Sequence, residues 1–214
     1  MAATGSVTPR LVAALDRTWA AIRARHPEVP QVVITLGAGT GGTAPGTLLL
    51  GHFAGDRWQH ADGGRLPEMF IAGEGLARGA REVLDTELHE AAHGLAAARG
   101  IRDTSRQGRY HNARYRGLAE ELGLAGEHAG GGFGWAATTV PDATAAVYVA
   151  EVEDLAAALV AWRRPEGGRG GRAGSNNGVA ARCGCGRRIR VAGSVLVAGP
   201  VTCGLCGGDF QAAI

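Results

Sequence analysis

The segment His89-Glu90-Ala91-Ala92-His93 places two imidazoles four residues apart, with a carboxylate between them. Residues four apart on a helix lie on the same face. Both imidazoles of this H-E-x-x-H pattern can therefore bind one zinc ion while the glutamate between them moves protons. The pattern predicts a zinc centre that hydrolyses peptide bonds. The competing interpretation is a pair of surface histidines on an ordinary amphipathic helix.

The surrounding residues favour a helix. No proline occurs from Arg78 to Arg99, and apolar residues recur at helical spacing through Leu84, Leu88 and Leu95. Gly100 follows where a left-handed C-terminal cap would end such a helix. The sequence therefore predicts that the motif lies on a helix spanning residues 78–99.

A catalytic zinc site normally takes three protein ligands and leaves a fourth position open, so a third ligand is needed. The metzincin pattern is excluded, because Ala96 and Arg99 stand where its glycine and third histidine would be. We predict His111, which opens a second helical stretch to residue 122 and shares its apolar side. Glu121 is the second choice. The alternative for His111 is a core histidine whose ring is satisfied by a backbone carbonyl.

The only four cysteines form two close pairs, Cys183/Cys185 and Cys203/Cys206. Two such pairs separated by a hairpin-sized spacer are typical of a four-cysteine structural zinc ribbon. Within the spacer, residues 188–191 and 194–197 are predicted to form the two strands of a hairpin. Two disulfides are the alternative. The amino terminus shows no secretory signal pattern, so we expect a reducing, cytoplasmic location in which metal is preferred.

Three segments together resemble the SprT-like zinc metallopeptidase family, which includes Spartan. They are Asp85–His93, the segment 108–112 and the four-cysteine cluster. The resemblance covers residues 65–125 closely and the cysteine cluster by pattern. It implies that His89, His93 and His111 bind a catalytic zinc ion and that Glu90 is the catalytic acid and base. The family often has glycine on both sides of its third histidine, where this chain has Tyr110 and Asn112.

The length of 214 residues and the hydrophobic content of 45% suit one globular domain plus a small module. We predict an α+β fold: a zincin-like peptidase domain at 1–163, a Gly/Arg-rich linker at 164–179 and a β zinc ribbon at 180–214. Further predicted elements are listed here: an amino-terminal helix after Thr8-Pro9, strands at 31–36, 47–54 and 68–72, and a last helix at 142–162. A G-x-G-x-x-G match at 37–42 is interpreted as a turn between strands, because no helix follows it.

The charge of the chain is unevenly distributed. Residues 99–116 carry +5 and residues 163–190 carry +7, whereas the whole chain carries +2, so the remainder carries −10. Clustered arginines of this kind suit contact with a phosphate backbone. Solvated loops are the plain alternative. There is no lysine, which excludes a Walker A loop, and no apolar run of 18 residues, so no membrane span is expected.

The resulting functional hypothesis is a zinc-dependent endopeptidase acting on DNA-associated proteins. It would use one catalytic and one structural zinc ion. Its expected partners are protein substrates and, through the arginine-rich segments, DNA. One alternative is a DNA- or transcription-associated zinc-binding protein without peptidase activity. Another is a metallohydrolase that cleaves small peptides independently of DNA. The sequence gives no indication of the oligomeric state.

Overall fold

The chain divides into two units, Met1–Pro165 and Glu166–Ile214, each of which combines helices with small sheets. The computed structural model describes residues 6–39, 48–106, 108–129, 132–165 and 178–212. The architecture is therefore mixed α and β. The predicted linker lies mostly outside the described residues. None of the described helices has the combined length and apolar character needed to span a bilayer.

The first unit is built on a three-stranded sheet preceded by helix α1, Val7–Arg25. Strands β1 (Val33–Gly37), β2 (Gly51–Gln59) and β3 (Arg65–Ala72) are arranged in the order β1-β3-β2. β1 runs parallel to β3, and β2 runs antiparallel to it. The edge strand β2 runs further than the predicted strand 47–54, across an irregularity in pairing after Ala54.

Helix α2, Ala80–Ala98, is the central element of the first unit and carries the H-E-x-x-H motif. Its apolar residues Leu84, Leu88 and Leu95 are buried in the core that α2 shares with α1 and the sheet. Gly94 lets the helix approach the sheet, because a Cβ there would lie 3.3 Å from the ring of Phe53. The helix predicted at 78–99 is thus present with slightly shorter bounds.

Short strands follow α2 and replace part of a predicted helix. β4 (Thr104–Ser105) pairs with β5 (Tyr110–His111), and α3 begins only at Ala113 and ends at Glu121. The prediction that His111 opens a helix was wrong. The side chain of Asn112 accepts hydrogen bonds from the first backbone N–H groups of α3, which fixes the start of the helix after His111.

The remainder of the first unit is a short hairpin and two helices. β6 (Ala125–Glu127) pairs with β7 (Ala137–Thr139). The single helix predicted at 142–162 is instead two helices, α4 (Asp142–Val147) and α5 (Val149–Ala158). The break falls at Tyr148, whose backbone leaves the helical region while its ring is buried in the core.

The second unit has a three-stranded sheet in the order β10-β8-β9. Its elements are β8 (Val179–Arg182), β9 (Arg188–Val191), α6 (Gly193–Ala198) and β10 (Gln211–Ala212). The strand predicted at 194–197 was wrong, because that run lies in α6 and β9 pairs with β8 instead. A short apolar run has no periodicity that separates strand from helix, and here Leu196 packs on the small core from a helix.

Candidate metal centre

Three imidazoles converge beside strand β2. His89 and His93 lie one turn apart on α2, and His111 lies on β5. Their ring centroids are 5.0 to 5.2 Å apart, and one nitrogen from each ring lies within 4.8 Å of the others. The Nε2 atoms of His93 and His111 are 3.1 Å apart. Two nitrogens bound tetrahedrally to one zinc ion would be about 3.3 Å apart, so the spacing fits this metal.

The position of His111 is set by strand pairing on both sides. Thr104 is its partner in β4. On the other side its N–H donates to the carbonyl oxygen of Phe133 at 3.0 Å, and its carbonyl oxygen accepts from the N–H of Trp135 at 3.0 Å. Gly134 lies between these partners with φ of +65°, and a Cβ there would be 2.1 Å from the His111 carbonyl oxygen. Sequence reasoning missed Gly134, since glycine is common in that segment.

The outer nitrogens of two rings have hydrogen-bond partners. Nδ1 of His93 is 2.5 Å from Oδ2 of Asp103, and Nδ1 of His89 is 3.3 Å from Oγ1 of Thr138. Such partners fix the orientation and the tautomer of metal-binding histidines. The ring atom Nδ1 of His111 is buried without a partner among the described residues. The backbone carbonyl of Phe133 nevertheless interacts with this ring and acts to raise its pKa, so a core histidine beside a backbone carbonyl stays the alternative to a metal ligand.

Electrostatics keeps two of the rings neutral, which is the form that binds metal. Burial lowers the pKa of His89 well below its usual value. Burial, together with the nearby His93, lowers the pKa of His111 to about 4. Burial also acts on His93, but the hydrogen bond to Asp103 and the charge of Glu90 outweigh it and raise the pKa.

Glu90 lies beside the three rings and is almost fully buried. Burial raises the pKa of its carboxyl to about 7, although His93 and a hydrogen bond from the backbone N–H of Phe53 act in the opposite direction. A carboxyl group with a pKa near neutral can both accept and return a proton. Gly51 permits this placement, because a Cβ there would lie 2.9 Å from Oε1 of Glu90.

Glu121, the second choice for the third ligand, is engaged in an ion pair instead. Its carboxylate forms an ion pair with Arg99 at 2.7 Å, and Arg99 also binds Glu28.

The ring of Tyr115 packs against the three histidine rings, with its centroid 4.5 Å from that of His111. Burial raises the pKa of the Tyr115 hydroxyl well above its usual value. The surface interpretation of His89 and His93 fails as well, because both rings are largely buried.

The histidines and Glu90 open into a cleft of about 480 Å³. One wall is β2, through Gly51, His52 and Phe53, and the opposite side includes Ile101 and Asp103. β2 has a neighbour on only one edge among the described residues, and its free edge borders this cleft. The site is therefore accessible to a ligand as large as a peptide segment.

The second unit brings its four cysteines into one group, which also has metal-binding geometry. The sulfur atoms of Cys185 and Cys203 are 3.8 Å apart, and those of Cys183 and Cys206 are 3.2 Å apart. Four thiolates around one zinc ion would be separated by about 3.8 Å, whereas a disulfide needs about 2.05 Å. The cysteines are free, so the alternative of two disulfides is not met. Backbone N–H groups of Leu205 and Cys206 lower the pKa of Cys203 to about 6.

Comparison with known proteins adds no relative. No protein-family description, no curated protein and no solved structure matches this chain. Two groups of side chains that could hold a metal ion are therefore the basis for a functional proposal.

Proposed function

We propose that this chain is a zinc-dependent endopeptidase, with a zincin-like domain of the SprT-like type followed by a four-cysteine zinc ribbon. One observation carries the proposal: three converging imidazoles and one buried carboxylate share an open cleft. Three histidines leave one zinc coordination position for water or substrate, which is the arrangement of a catalytic rather than a structural site.

A bound zinc ion would polarise the substrate carbonyl group and make a water molecule more acidic. The chain's own residues supply the remainder of the chemistry. The carboxylate of Glu90, oriented by the N–H of Phe53, accepts a proton from the attacking water and then transfers it to the departing amine nitrogen. Asp103 holds the ring of His93 in place through a hydrogen bond to Nδ1.

The edge of β2 favours an extended polypeptide as substrate. An exposed strand edge offers backbone N–H and C=O groups that pair with another extended chain. Along β2 such groups run beside the histidines, because Gly51 and His52 line the same cleft as His89, while the N–H of Phe53 donates to Glu90. An edge of this kind favours a substrate with an extended backbone, and it suits both a long polypeptide and the small peptides of the alternative metallohydrolase.

The test is cleavage of an unfolded protein such as casein by the zinc-loaded protein, with Glu90→Gln as the inactive variant. Removing the general base should lower the rate by about 10²–10⁴-fold. Zinc content should not change, because the three histidines remain. If Glu90→Gln cleaves as fast as the unaltered protein, the proposed role of Glu90 is wrong. If no zinc-dependent cleavage occurs at all, the alternative of a non-catalytic zinc-binding protein replaces the proposal.

The arginine residues at the surface of each unit favour DNA as a binding partner. In the first unit Arg102, Arg106, Arg109 and Arg114 form no ion pair with a described residue, whereas Arg99 is paired with two glutamates. Tyr115 is buried and therefore unsuitable for base stacking. Tyr110 lies beside Arg106, Trp135 lies beside Arg116, and Phe133 is exposed. Sequence reasoning overlooked Trp135 and Phe133.

In the second unit the strand register collects arginines on one face of the sheet. Arg182 lies directly opposite Arg188, and Arg190 is two residues along β9 on the same face. The other face, which includes Ala181 and Ile189, packs on the small core. Like charges opposite each other destabilise a sheet, and a polyanion on this face would relieve the repulsion. A phosphate backbone has the matching charge.

DNA binding is tested by fluorescence anisotropy with labelled single- and double-stranded oligonucleotides at about 50 and 200 mM salt. We expect binding that weakens with salt and that falls at least fivefold in the double variant Arg182→Gln/Arg188→Gln. The matched control is Arg57→Gln/Arg65→Gln on the β2–β3 hairpin, which removes the same charge elsewhere. Equal binding by both variants would show that the sheet face carrying Arg182 and Arg188 does not bind DNA. Cleavage that is indifferent to DNA would favour a DNA-independent hydrolase.

A further inference from the structure

The three-stranded sheet of the first unit has one face turned toward α2 and an outer face turned away from it. A Cβ at Gly51 would lie 2.9 Å from Oε1 of Glu90, so Gly51 points toward α2. The ring of Phe53 lies 3.3 Å from the position of a Cβ at Gly94, so Phe53 points the same way. Because successive side chains of a strand alternate between faces, His52 lies on the outer face. His52 also lines the cleft that contains the three converging histidines, so it stands at the rim of that cleft.

The ring of His52 belongs to a row of side chains that crosses the sheet. Phe70 is its partner in β3, and the two rings are stacked with centroids 5.0 Å apart and planes 16° apart. A Cβ at Gly37 in β1 would lie 3.2 Å from the ring of Phe70, so the glycine leaves room for that ring. The row ends at β2, which has a neighbour on only one side among the described residues. One face of the imidazole therefore rests on Phe70, and the other is turned to the free edge of β2.

Hydrogen bonds to one carboxylate hold this row in place. Nε2 of His52 lies 3.1 Å from Oε1 of Glu68, and Nε1 of Trp58 donates to Oε2 of the same carboxylate at 2.9 Å. The side chain of Glu68 is only 14% exposed, whereas that of His52 is 37% exposed. A ring that is already held by stacking and by a hydrogen bond loses little conformational freedom when a ligand packs on it. His52 is thus preorganised for contact with a ligand.

We propose that His52 forms a subsite that selects an aromatic side chain of the polypeptide substrate. This rests on the proposed function, in which the substrate extends along β2. Side chains that are opposite each other in neighbouring strands share a face, and neighbouring strands lie about 4.7–4.9 Å apart. Aromatic rings pair at centroid distances of about 4.5–7 Å. A substrate ring opposite His52 therefore stacks on its open face, as Phe70 stacks on the other.

An aromatic ring fits this position better than the other large side chains. An arginine can also stack on a ring, but its guanidinium group has five N–H donors that need acceptors. Both oxygens of Glu68 are already engaged by His52 and Trp58, and the carboxylate is largely covered. A leucine has apolar area but no π-system to stack on the imidazole. The expected side chain is therefore that of phenylalanine, tyrosine or tryptophan.

The pleat of an extended substrate restricts the effect to one position. The residues directly before and after the aromatic one point to the other face of the sheet, toward α2 and its histidines. Residues two positions away share the outer face but lie about 7 Å further along the strand. His52 therefore selects one residue at a fixed number of positions from the bond that is cleaved.

The test is a scan of short peptides of alanine and threonine in which phenylalanine, leucine or arginine takes each position in turn. Binding to the zinc-loaded Glu90→Gln variant is measured by fluorescence anisotropy, and cleavage by the zinc-loaded, unaltered protein is measured by mass spectrometry. At a single position, we expect phenylalanine to bind more tightly than leucine and to raise kcat/KM about 2- to 12-fold over it. This is the range that one aromatic pair contributes.

Two variants and a matched control assign the preference to His52. His52→Ala should abolish the phenylalanine preference at that position. His52→Phe keeps a ring but cannot bond to Glu68, and it should retain the preference because stacking is its cause. The control is His60→Ala, which removes an exposed imidazole from the β2–β3 turn, outside the residues that line the cleft. It should bind and cleave every peptide as the unaltered protein does.

Failure of the subsite and failure of the proposed function give different results. Zinc-dependent cleavage in which no position prefers phenylalanine to leucine overturns the subsite alone, whether or not a variant folds. A preference that persists in His52→Ala also overturns it, as does tighter binding of arginine than of phenylalanine. A zinc-loaded protein that binds phenylalanine peptides more tightly through His52 but cleaves none contradicts endopeptidase activity and supports the subsite. If no peptide is bound or cleaved, both proposals are wrong.

Discussion

Gly134→Ala should weaken metal binding at the histidine site without touching any ligand. The backbone at Gly134 has φ of +65°, which costs a non-glycine residue about 1–2 kcal/mol. The added Cβ would also lie 2.1 Å from the carbonyl oxygen of His111 and 3.0 Å from the ring of Tyr110. The strand segment that carries His111 would have to move away from its partner.

The magnitude follows from these local contributions. Movement of the segment breaks the hydrogen bond from Trp135 to the His111 carbonyl oxygen, at about 0.5–1.5 kcal/mol. Together with the backbone strain, the loss amounts to roughly 1.5–3.5 kcal/mol. If zinc binding must supply this free energy to bring His111 back, affinity falls by about 10- to 300-fold, since 1.4 kcal/mol corresponds to tenfold.

The assay is zinc competition with a fluorescent chelator, with two matched glycine controls. Gly132→Ala meets no atom within 4 Å and has an ordinary backbone, so it should bind zinc normally. Gly108→Ala also meets no atom, but its φ is +85°, so it isolates backbone strain from steric overlap. We expect its loss of affinity to fall between the other two. Equal affinity in Gly134→Ala and Gly132→Ala would refute the reasoning that strand pairing to Gly134 places His111.

Three other perturbations have definite expected outcomes. Gly51→Ala places a Cβ 2.8 Å from Thr86 and 2.9 Å from the Glu90 carboxylate, at a cost of about 1–3 kcal/mol, so kcat should fall while zinc content holds. A similar loss in Gly55→Ala, which meets nothing, would contradict this. Burial raises the pKa of Glu87, so the folded protein favours the protonated carboxyl. The free energy of unfolding is therefore highest below the unfolded-state pKa of this group and falls as pH rises through the folded-state pKa. Glu87→Met should therefore stabilise the protein by about 1–3 kcal/mol in urea unfolding, more at pH 8 than at pH 5, and a pH-independent effect would count against it. Cys183→Ser should lower bound zinc from two ions per chain to one and unfold the second unit by circular dichroism, whereas retention of both ions would disprove the four-cysteine site.

The sequence alone indicated the local parts of the candidate site. His89, Glu90 and His93 are brought together by helical periodicity, which depends only on residues close in the chain. The four cysteines were likewise grouped by spacing, and His111 was chosen by its apolar companions. The structure brings His111 beside His89 and His93, but not for the reason given by the sequence, because His111 lies in a strand that pairs with β4 and with residues 133–135.

Only the tertiary structure decided which distant groups complete the site. Thr138 is 49 residues from His89 and is adjacent to it because β7 packs on α2, and no periodicity encodes that contact. The positive φ of Gly134 and the register that sets Arg182 against Arg188 arise in the same way. Local pattern determines which residues share a face of one helix or strand. Long-range pairing and packing depend on the free energy of the whole chain, so they fix the register, the outer partners of the histidines and the edge of β2 beside the cleft.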